Sequence, residues 1–478
     1  MKKNMKIVAA LMAIGLVTPA AYATNGMNLE GYGPIAAAMG GASQAYDNGT
    51  AAMMNNPATL GMMADGSSRI DAAIGLLGPN VTANSTGAPA AKSSADLFIM
   101  PALGYATKKG SLTYGAGLFA QGGMGTEYAA DSFLAAGSNE KVRSEVGVLR
   151  AMIPVAYQID DKLTIGGSID YVQASMDLKM AMPGTTALGG IYSFQDMVAP
   201  LGGTQTLGTA TGTLVDGFVA AFGGGQITSF KWARIDFSDN NAFSGKANGS
   251  GMAGKLGATY KFSPALTMGA SYHSKTSMGD LTTSGATLSM NLSGAIVGGG
   301  TDVTVPLTGS LKVKNFQWPE TYGFGAAYQV NEQLMLVADY KHIGWKDVMK
   351  DFNVSFVADN VAGNGAFAGA AVDISMKQNW DDQNVVQIGG AYKTSPDLVL
   401  RAGLNVANNP VPDKYMNPLF PAIATTNVTL GAGYSFSKVS SIDFNYAYVP
   451  KITGGIAASG PTVDFAGYSA QLMYSHRI

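Results

Sequence analysis

The chain has 478 residues, of which 47% are hydrophobic and only 13% charged, with 62 glycines and a formal net charge of -2. A soluble enzyme of this length carries roughly a quarter charged residues and a disordered chain has far fewer apolar ones, so neither class fits. The near-neutral charge and the lack of a basic cluster give no sign of a nucleic-acid partner, and a chain without Cys forms no disulfide and offers no thiolate.

Residues 1–23 carry three lysines (Lys2, Lys3, Lys6), an apolar run from Ile7 to Val17 and the small-residue exit Ala21, Tyr22, Ala23. This is the pattern of a cleavable secretory signal, with an apolar core too short to cross a bilayer. Residues 24–66 come next and read as a separate unit. From Asn25 to Met63 the sequence is dense in Gly, Ala, Met and Asn, without the alternation of a strand or a sustained helical stripe. Such a segment is too apolar for a solvated tail, and we expect it to fill the inside of whatever follows.

Residues 67–478 alternate. Val428, Leu430, Ala432, Tyr434 and Phe436 interleave with Asn427, Thr429, Gly431, Gly433 and Ser435, and Ile442, Phe444, Tyr446 and Tyr448 interleave with Asp443, Asn445 and Ala447. Apolar rows facing out and polar or tiny residues facing in invert the soluble pattern, as lipid outside a closed sheet requires. Counting such segments predicts an all-β fold, a 14-stranded antiparallel transmembrane β-barrel plugged by an N-terminal hatch. The strands are expected near 69–77, 97–108, 111–122, 143–159, 162–178, 251–262, 265–281, 311–329, 333–348, 383–394, 397–408, 426–437, 440–450 and 467–478. Tight turns at 109–110, 160–161, 263–264, 331–332, 395–396 and 438–439 alternate with long loops at 78–96, 123–142, 179–250, 282–310, 349–382, 409–425 and 451–466. That rhythm places both chain ends on the periplasmic side of a Gram-negative outer membrane. A closed barrel needs no partner for its edges, so a monomer is expected. A soluble sandwich would leave the outward Leu, Phe and Tyr rows as apolar patches far larger than a soluble monomer tolerates.

The run NGMNLEGYGPIAAAMGGASQAYDNGTAAMMNNPATL, with Asn56, Pro57 and Ala58 at its most characteristic point, resembles the N-terminal hatch of the long-chain fatty-acid transporter (FadL-like) family, which includes aromatic-hydrocarbon uptake channels. LTYGAGLFAQGGMGTEY from Leu112, WPETYGFGAAY from Trp318 and LRAGLNVANNPVP from Leu400 to Pro412 are similar to the same family. Met27 stands where members often carry Phe. The resemblance implies a hatch-closed barrel, an apolar capture site between extracellular loops, a tighter pocket beside the N-terminal residues, and a kink in the third strand through which ligand leaves sideways into the membrane. No cofactor or energy source is implied.

The residues themselves bear on each part. Consecutive glycines weaken a strand, so Gln121, Gly122, Gly123 and Gly125 mark where the third strand is expected to lose a neighbour, although they also read as a strand end entering a loop. Pro57 fixes its own backbone and pushes Asn56 to an extended conformation, which suits a rigid turn in the lumen as well as an ordinary surface turn. Inward-facing apolar residues are unusual in such a barrel and nominate a pocket: Phe98, Met100 and Phe119, joined by Met27 and Leu29. Arg150, Lys255 and Arg401 fall on inward rows and could meet a ligand carboxylate or form a lumen salt-bridge network. Phe218 and Phe222, at helical spacing with Leu214, Val215 and Val219, are expected to form the capture groove with Leu288, Met290, Leu292 and Ile296. Three scattered His and no metal-ligand spacing argue against an enzyme. The rival is a general diffusion porin, with no specific apolar ligand.

Overall fold

The computed structural model describes residues 24–184, 193–241, 245–456 and 460–478, so the expected leader at 1–23 lies outside the described residues. The fold is all-β and antiparallel, and among the described residues no helix is long and apolar enough to cross a membrane.

The wall can be followed pair by pair. Ser68–Asn84 pairs with Phe98–Lys109, which pairs with Leu112–Tyr128, then Val142–Gln158, Leu163–Pro183 and Ala247–Lys261. The circuit continues through Leu266–His273, Thr321–Gln329, Leu334–Ile343, Gln383–Ser395, Leu398–Ala407 and Thr426–Ser435. Ser440–Gly454 and Thr462–Arg477 follow, and the last strand closes on Ser68–Asn84. Pairing of the last strand with the first leaves the circuit without a terminal edge.

The expectation of fourteen strands and plain loops is corrected: among the described residues the sheet holds 24 strands, the circuit just traced together with strands at its rim and two-residue strands of the N-terminal segment. Stretches read as loops are themselves strands: Ser229–Phe237 pairs with Leu281–Gly294, and from there the sheet runs through Gly299–Lys314, Asp351–Ala358, Ala371–Lys377 and Gly208–Thr211. The expected strand at 311–329 is divided, with Asn315 in the left-handed region and Pro319 between its halves, and the one at 265–281 stops at His273. The physical reason is that at this rim the apolar side chains, such as Leu288, Met290 and Leu292, are the buried ones and the polar side chains between them are more exposed, the reverse of the wall.

Within the band the inverted pattern is complete. Leu430, Leu256, Ile153 and Ile169 are exposed, whereas Asn405, Asn427, Thr429, Asn445 and Ser469 are fully buried. The tight turns are tied by side-chain oxygens that accept from the turn amides, as Asp160 does from Lys162 and Leu163 and Asn331 does from Gln333 and Leu334. The backbones of Ser68 and Ile478 bond to each other at this same short-turn end.

Asn25–Met63 is not the structureless run its composition suggested. It folds as two-residue strands, a helical turn Pro34–Ala37 and the 3-10 helices Gly49–Met53 and Pro57–Met62. Inward polar residues from around the circuit hold it. Asp339 accepts from the Ser43 and Gln44 amides, Thr429 from that of Gly40, and Asp71 from that of Thr50. Gln387 donates to the Glu30 carbonyl, Asn405 to that of Gly40 and Lys108 to that of Gly61. Each bond contributes about 1 kcal/mol net, and their spread over the ring fixes the segment from every side. At Gly403 the segment comes so close that a Cβ would run into the Met39–Gly40 backbone.

Candidate functional site

The wall is broken at one hairpin. Leu112–Tyr128 pairs with Phe98–Lys109 only from Leu112↔Lys109 to Phe119↔Ala102, although on its other side it stays registered with Val142–Gln158 as far as Tyr128↔Val142. Phe98–Pro101 meanwhile remain paired with Ile74–Leu77. The cause is local: a bulge between Ala120 and Gly122 adds a residue, swings the strand and shifts which side chains face in. The N-terminal segment takes up the freed backbone, with Asn28 registered against Gly122 and the Gly123 amide donating to the Met27 carbonyl at 3.1 Å. A Cβ on Gly122 would collide with that carbonyl, and one on Gly125 would lie 2.9 Å from the Phe98 ring.

A cavity of about 420 Å³ lies at this seam. Its lining comes from both faces of the wall, from the inward Phe98, Met100 and Val148 and from the outward Ile99, Pro101 and Leu149. It therefore passes through the sheet where the ladder is missing. Gly122, Gly123 and Gly125 edge it, leaving the opening free of side chains on that margin.

The other nominated residues fall in several places. Met27 is buried and contributes its backbone to the seam. Leu29 and Gln121 line a second, polar cavity of about 20 Å³, room for a single water, together with Tyr32, His273 and Lys341. Phe119 is buried at Gly117 beside Met53 and does not line the seam cavity. Arg150 does not either. It is 1% exposed, bonded through Nη1 to Asp170 at 2.8 Å and through Nε to the Gln121 side chain at 2.5 Å, while Lys255 holds the same Asp170 oxygen at 2.5 Å. Arg401 pairs with Asp443 at 2.8 Å. The inward cations are thus spent on carboxylates, and Arg150 acts on the bulge residue Gln121, whose carbonyl also accepts from the Tyr32 hydroxyl at 2.8 Å.

Asn56 starts the 3-10 helix Pro57–Met62 from an extended backbone, its side-chain oxygen accepting from the Ala58 amide at 3.1 Å. Its Nδ2 donates to Gln44 and to Ala258 of the wall, so the motif ties two parts of the N-terminal segment to a strand. Phe218 lies on the helix Thr213–Gly223, buried in edge-on contact with Phe194 and Phe230 at 5.2 and 4.7 Å, whereas Phe222 is exposed. The groove on this helix, about 320 Å³, is lined by Val198, Ala210, Val215 and Val219, not by the two phenylalanines. Leu288, Met290 and Leu292 lie on the strand opposite Phe230, which brings the two long connections together.

Sequence reasoning missed the far side of the seam. Leu77, Val81 and Phe465 line the cavity, as do Pro421 and Ala422 from the connection at 409–425, which folds back so that Tyr128 bonds the Pro418 carbonyl at 2.7 Å. Trp318, at the head of a quoted motif, fixes Asn28 through its indole N–H at 2.7 Å and packs edge-on to Trp345 at 5.7 Å.

Comparison with known proteins bears on the fold as a whole. The crystal structure of the toluene transporter TodX from P. putida superposes with a TM-score of 0.77 at 30% identity, covering 94% of this chain and 99% of that one. That of the toluene transporter TbuX from Ralstonia pickettii gives 0.72 at 31% identity with the same coverage. Outer membrane protein P1 of Haemophilus influenzae is 27% identical over 200 residues, 42% of this chain and 38% of that protein. The chain's matches span about two fifths of the length of the curated relatives. The model of the outer membrane protein transport family (OMPP1/FadL/TodX) matches residues 10–473, and the chain belongs to that family.

Proposed function

We propose that the protein is a passive outer-membrane channel for hydrophobic small molecules, long-chain fatty acids or hydrocarbons, in which residues 24–66 are the hatch and ligand leaves sideways through the seam. The observation that carries this reading is the cavity lined by both faces of the wall beside an unlatched strand. A greasy molecule loses about 0.8 kcal/mol of stabilisation for every CH₂ returned to water, so a water-filled bore is the wrong conduit and a side exit into lipid is the right one. The exposed apolar band reaches the seam through Leu103 and Leu118, so a ligand that leaves there meets acyl chains. Capture begins at the outer groove on Thr213–Gly223, and the short-turn end with both mature termini faces the periplasm. The burial of Asn25–Met63 favours this reading over a diffusion porin, which needs that space for water. The closed circuit lets it act as a monomer.

Filling the seam tests the route. Gly125→Trp should lower uptake of labelled toluene and of oleate by cells at least tenfold, with heat-modifiable migration of the barrel unchanged. Normal uptake by the folded variant would rule out exit at this point.

A further inference from the structure

The lining of the seam cavity has a charge character that the family resemblance does not supply. Among the described residues it contains no Lys, Arg or His, and its one ionisable side chain is Glu145, on the outward row opposite Gly125. The basic side chains that contact Glu145 and the carboxylates beside it are already committed. Arg143 bonds Glu127 at 3.1 Å, contacts Glu145, and lies 3.9 Å from Asp177, while Lys141 adds a second contact to Glu127 at 2.8 Å. Arg143 and Lys141 are thus shared among Glu127, Glu145 and Asp177 beside this mouth. On the lumen side Arg150 and Lys255 are both bound to Asp170 and are essentially inaccessible. An anionic ligand in the cavity would leave water without gaining a counterion, and would meet a like charge at the mouth.

We infer that the cavity takes uncharged ligands, hydrocarbons, alcohols or esters, and that Glu145 is the specificity-determining residue that turns carboxylates away. Gln173, Ser175 and Asn248, which edge the same mouth, offer neutral hydrogen-bonding groups and leave an uncharged head such as a hydroxyl acceptable. The inference rests on the channel reading above and narrows its substrate class from hydrophobic compounds in general to neutral ones.

Binding of octan-1-ol, octanoate and toluene to the purified full chain in detergent, measured by titration calorimetry at pH 8.5, tests it. The wild type should bind octanol at least tenfold tighter than octanoate. Glu145→Gln should narrow that ratio several-fold and Glu145→Lys should bring it to parity or invert it, with toluene binding retained. Gly147→Lys is a second route that leaves Glu145 in place. Gly147 lines the cavity, a Cβ there meets nothing closer than the Ser175 hydroxyl at 3.9 Å, and the added cation should confer octanoate binding. Equal affinities in the wild type, or a ratio unmoved by both lysine variants while toluene still binds, overturn the role of Glu145 and leave the channel reading standing. Failure of toluene and octanol alike to bind the folded wild type overturns both.

Discussion

Two strand junctions of the same wall behave in opposite ways. Where the circuit closes, Thr462–Arg477 and Ser68–Asn84 come from opposite ends of the sequence, yet they are registered without interruption from Asn84↔Thr462 to Arg69↔Arg477. Phe98–Lys109 and Leu112–Tyr128 are joined by a tight turn, the cheapest closure in entropy, yet their ladder stops at Ala102↔Phe119. Chain distance therefore does not explain the opening. What distinguishes the second junction is a bulge, a run of glycines, and a competing partner, since the N-terminal segment bonds the backbone that the neighbouring strand gives up. The opening is built in.

If the bulge is held by the Gln121–Arg150–Asp170 chain, breaking that chain should affect the open junction and spare the closed one. Asp170→Asn leaves Arg150 and Lys255 buried with too little negative charge, a situation that costs about 3–5 kcal/mol. Its urea midpoint in detergent should fall accordingly, and amide exchange should rise at Gln121–Gly123 more than at Ser469–Ser475. Uniform exchange along both junctions would show that the network merely fills space. A smaller effect is expected at the competing partner. Gly122→Val pushes a side chain into the Met27 carbonyl and towards Trp318, overpacking that costs about 1–3 kcal/mol. The short N-terminal strand should detach, seen as protease cleavage near Asn25–Leu29 in an otherwise folded barrel. Resistance equal to wild type would mean that the segment is held without this register.

The sequence made one part of this comparison legible and hid the other. The band could be read because Leu430 and Thr429, or Leu404 and Asn405, fall on opposite faces with opposite polarity, and lipid demands that contrast, whereas the outer part of the closed junction, from Asn80↔Ala466 to Asn84↔Thr462, fell in the expected loops 78–96 and 451–466. The glycine run at Gln121–Gly125 flagged the opening as well. The cavity behind it could not be read, because Leu77, Val148, Ala422 and Phe465 meet only once the circuit closes. Arg150 was visible as an inward cation, but its carboxylate, twenty residues away on the next strand, decides that it anchors the bulge. The rim was misread as loop for a different reason. Leu288, Met290 and Leu292 do alternate with Ser289 and Asn291, but here the apolar face is buried, beside Phe230 and Ile235 of the neighbouring strand. The period of two was present and signalled strand, and only the sense of the faces had changed.

A pH-dependent effect is expected at the closed junction, where Ser469 donates to Glu30 of the N-terminal segment at 3.1 Å. Glu30 is fully buried, and burial pushes its carboxyl from 4.5 up to about 8, against the opposing pull of Ser469 and Lys341. Its second oxygen has no hydrogen-bond partner among the described residues, so the ionised form is poorly served. The folded state consequently holds a proton that the unfolded chain releases above about 4.5, and the sign follows from that excess. Stability is fully present below 4.5 and is lost as the pH rises through about 8. Glu30→Gln, which mimics the protonated form, should change the unfolding midpoint little near pH 4, where the carboxyl is largely protonated in both states of the wild type. It should become progressively more stable than wild type between about pH 4.5 and 8, with the difference levelling off above that. The same comparison run on protease access to Gly31–Ile35 should follow the curve if Glu30 ties the N-terminal segment to the closed junction. A flat pH response in the wild type, or parallel curves for the two proteins, would mean that the carboxyl is already charged in the fold and that Ser469 and Lys341 outweigh its burial.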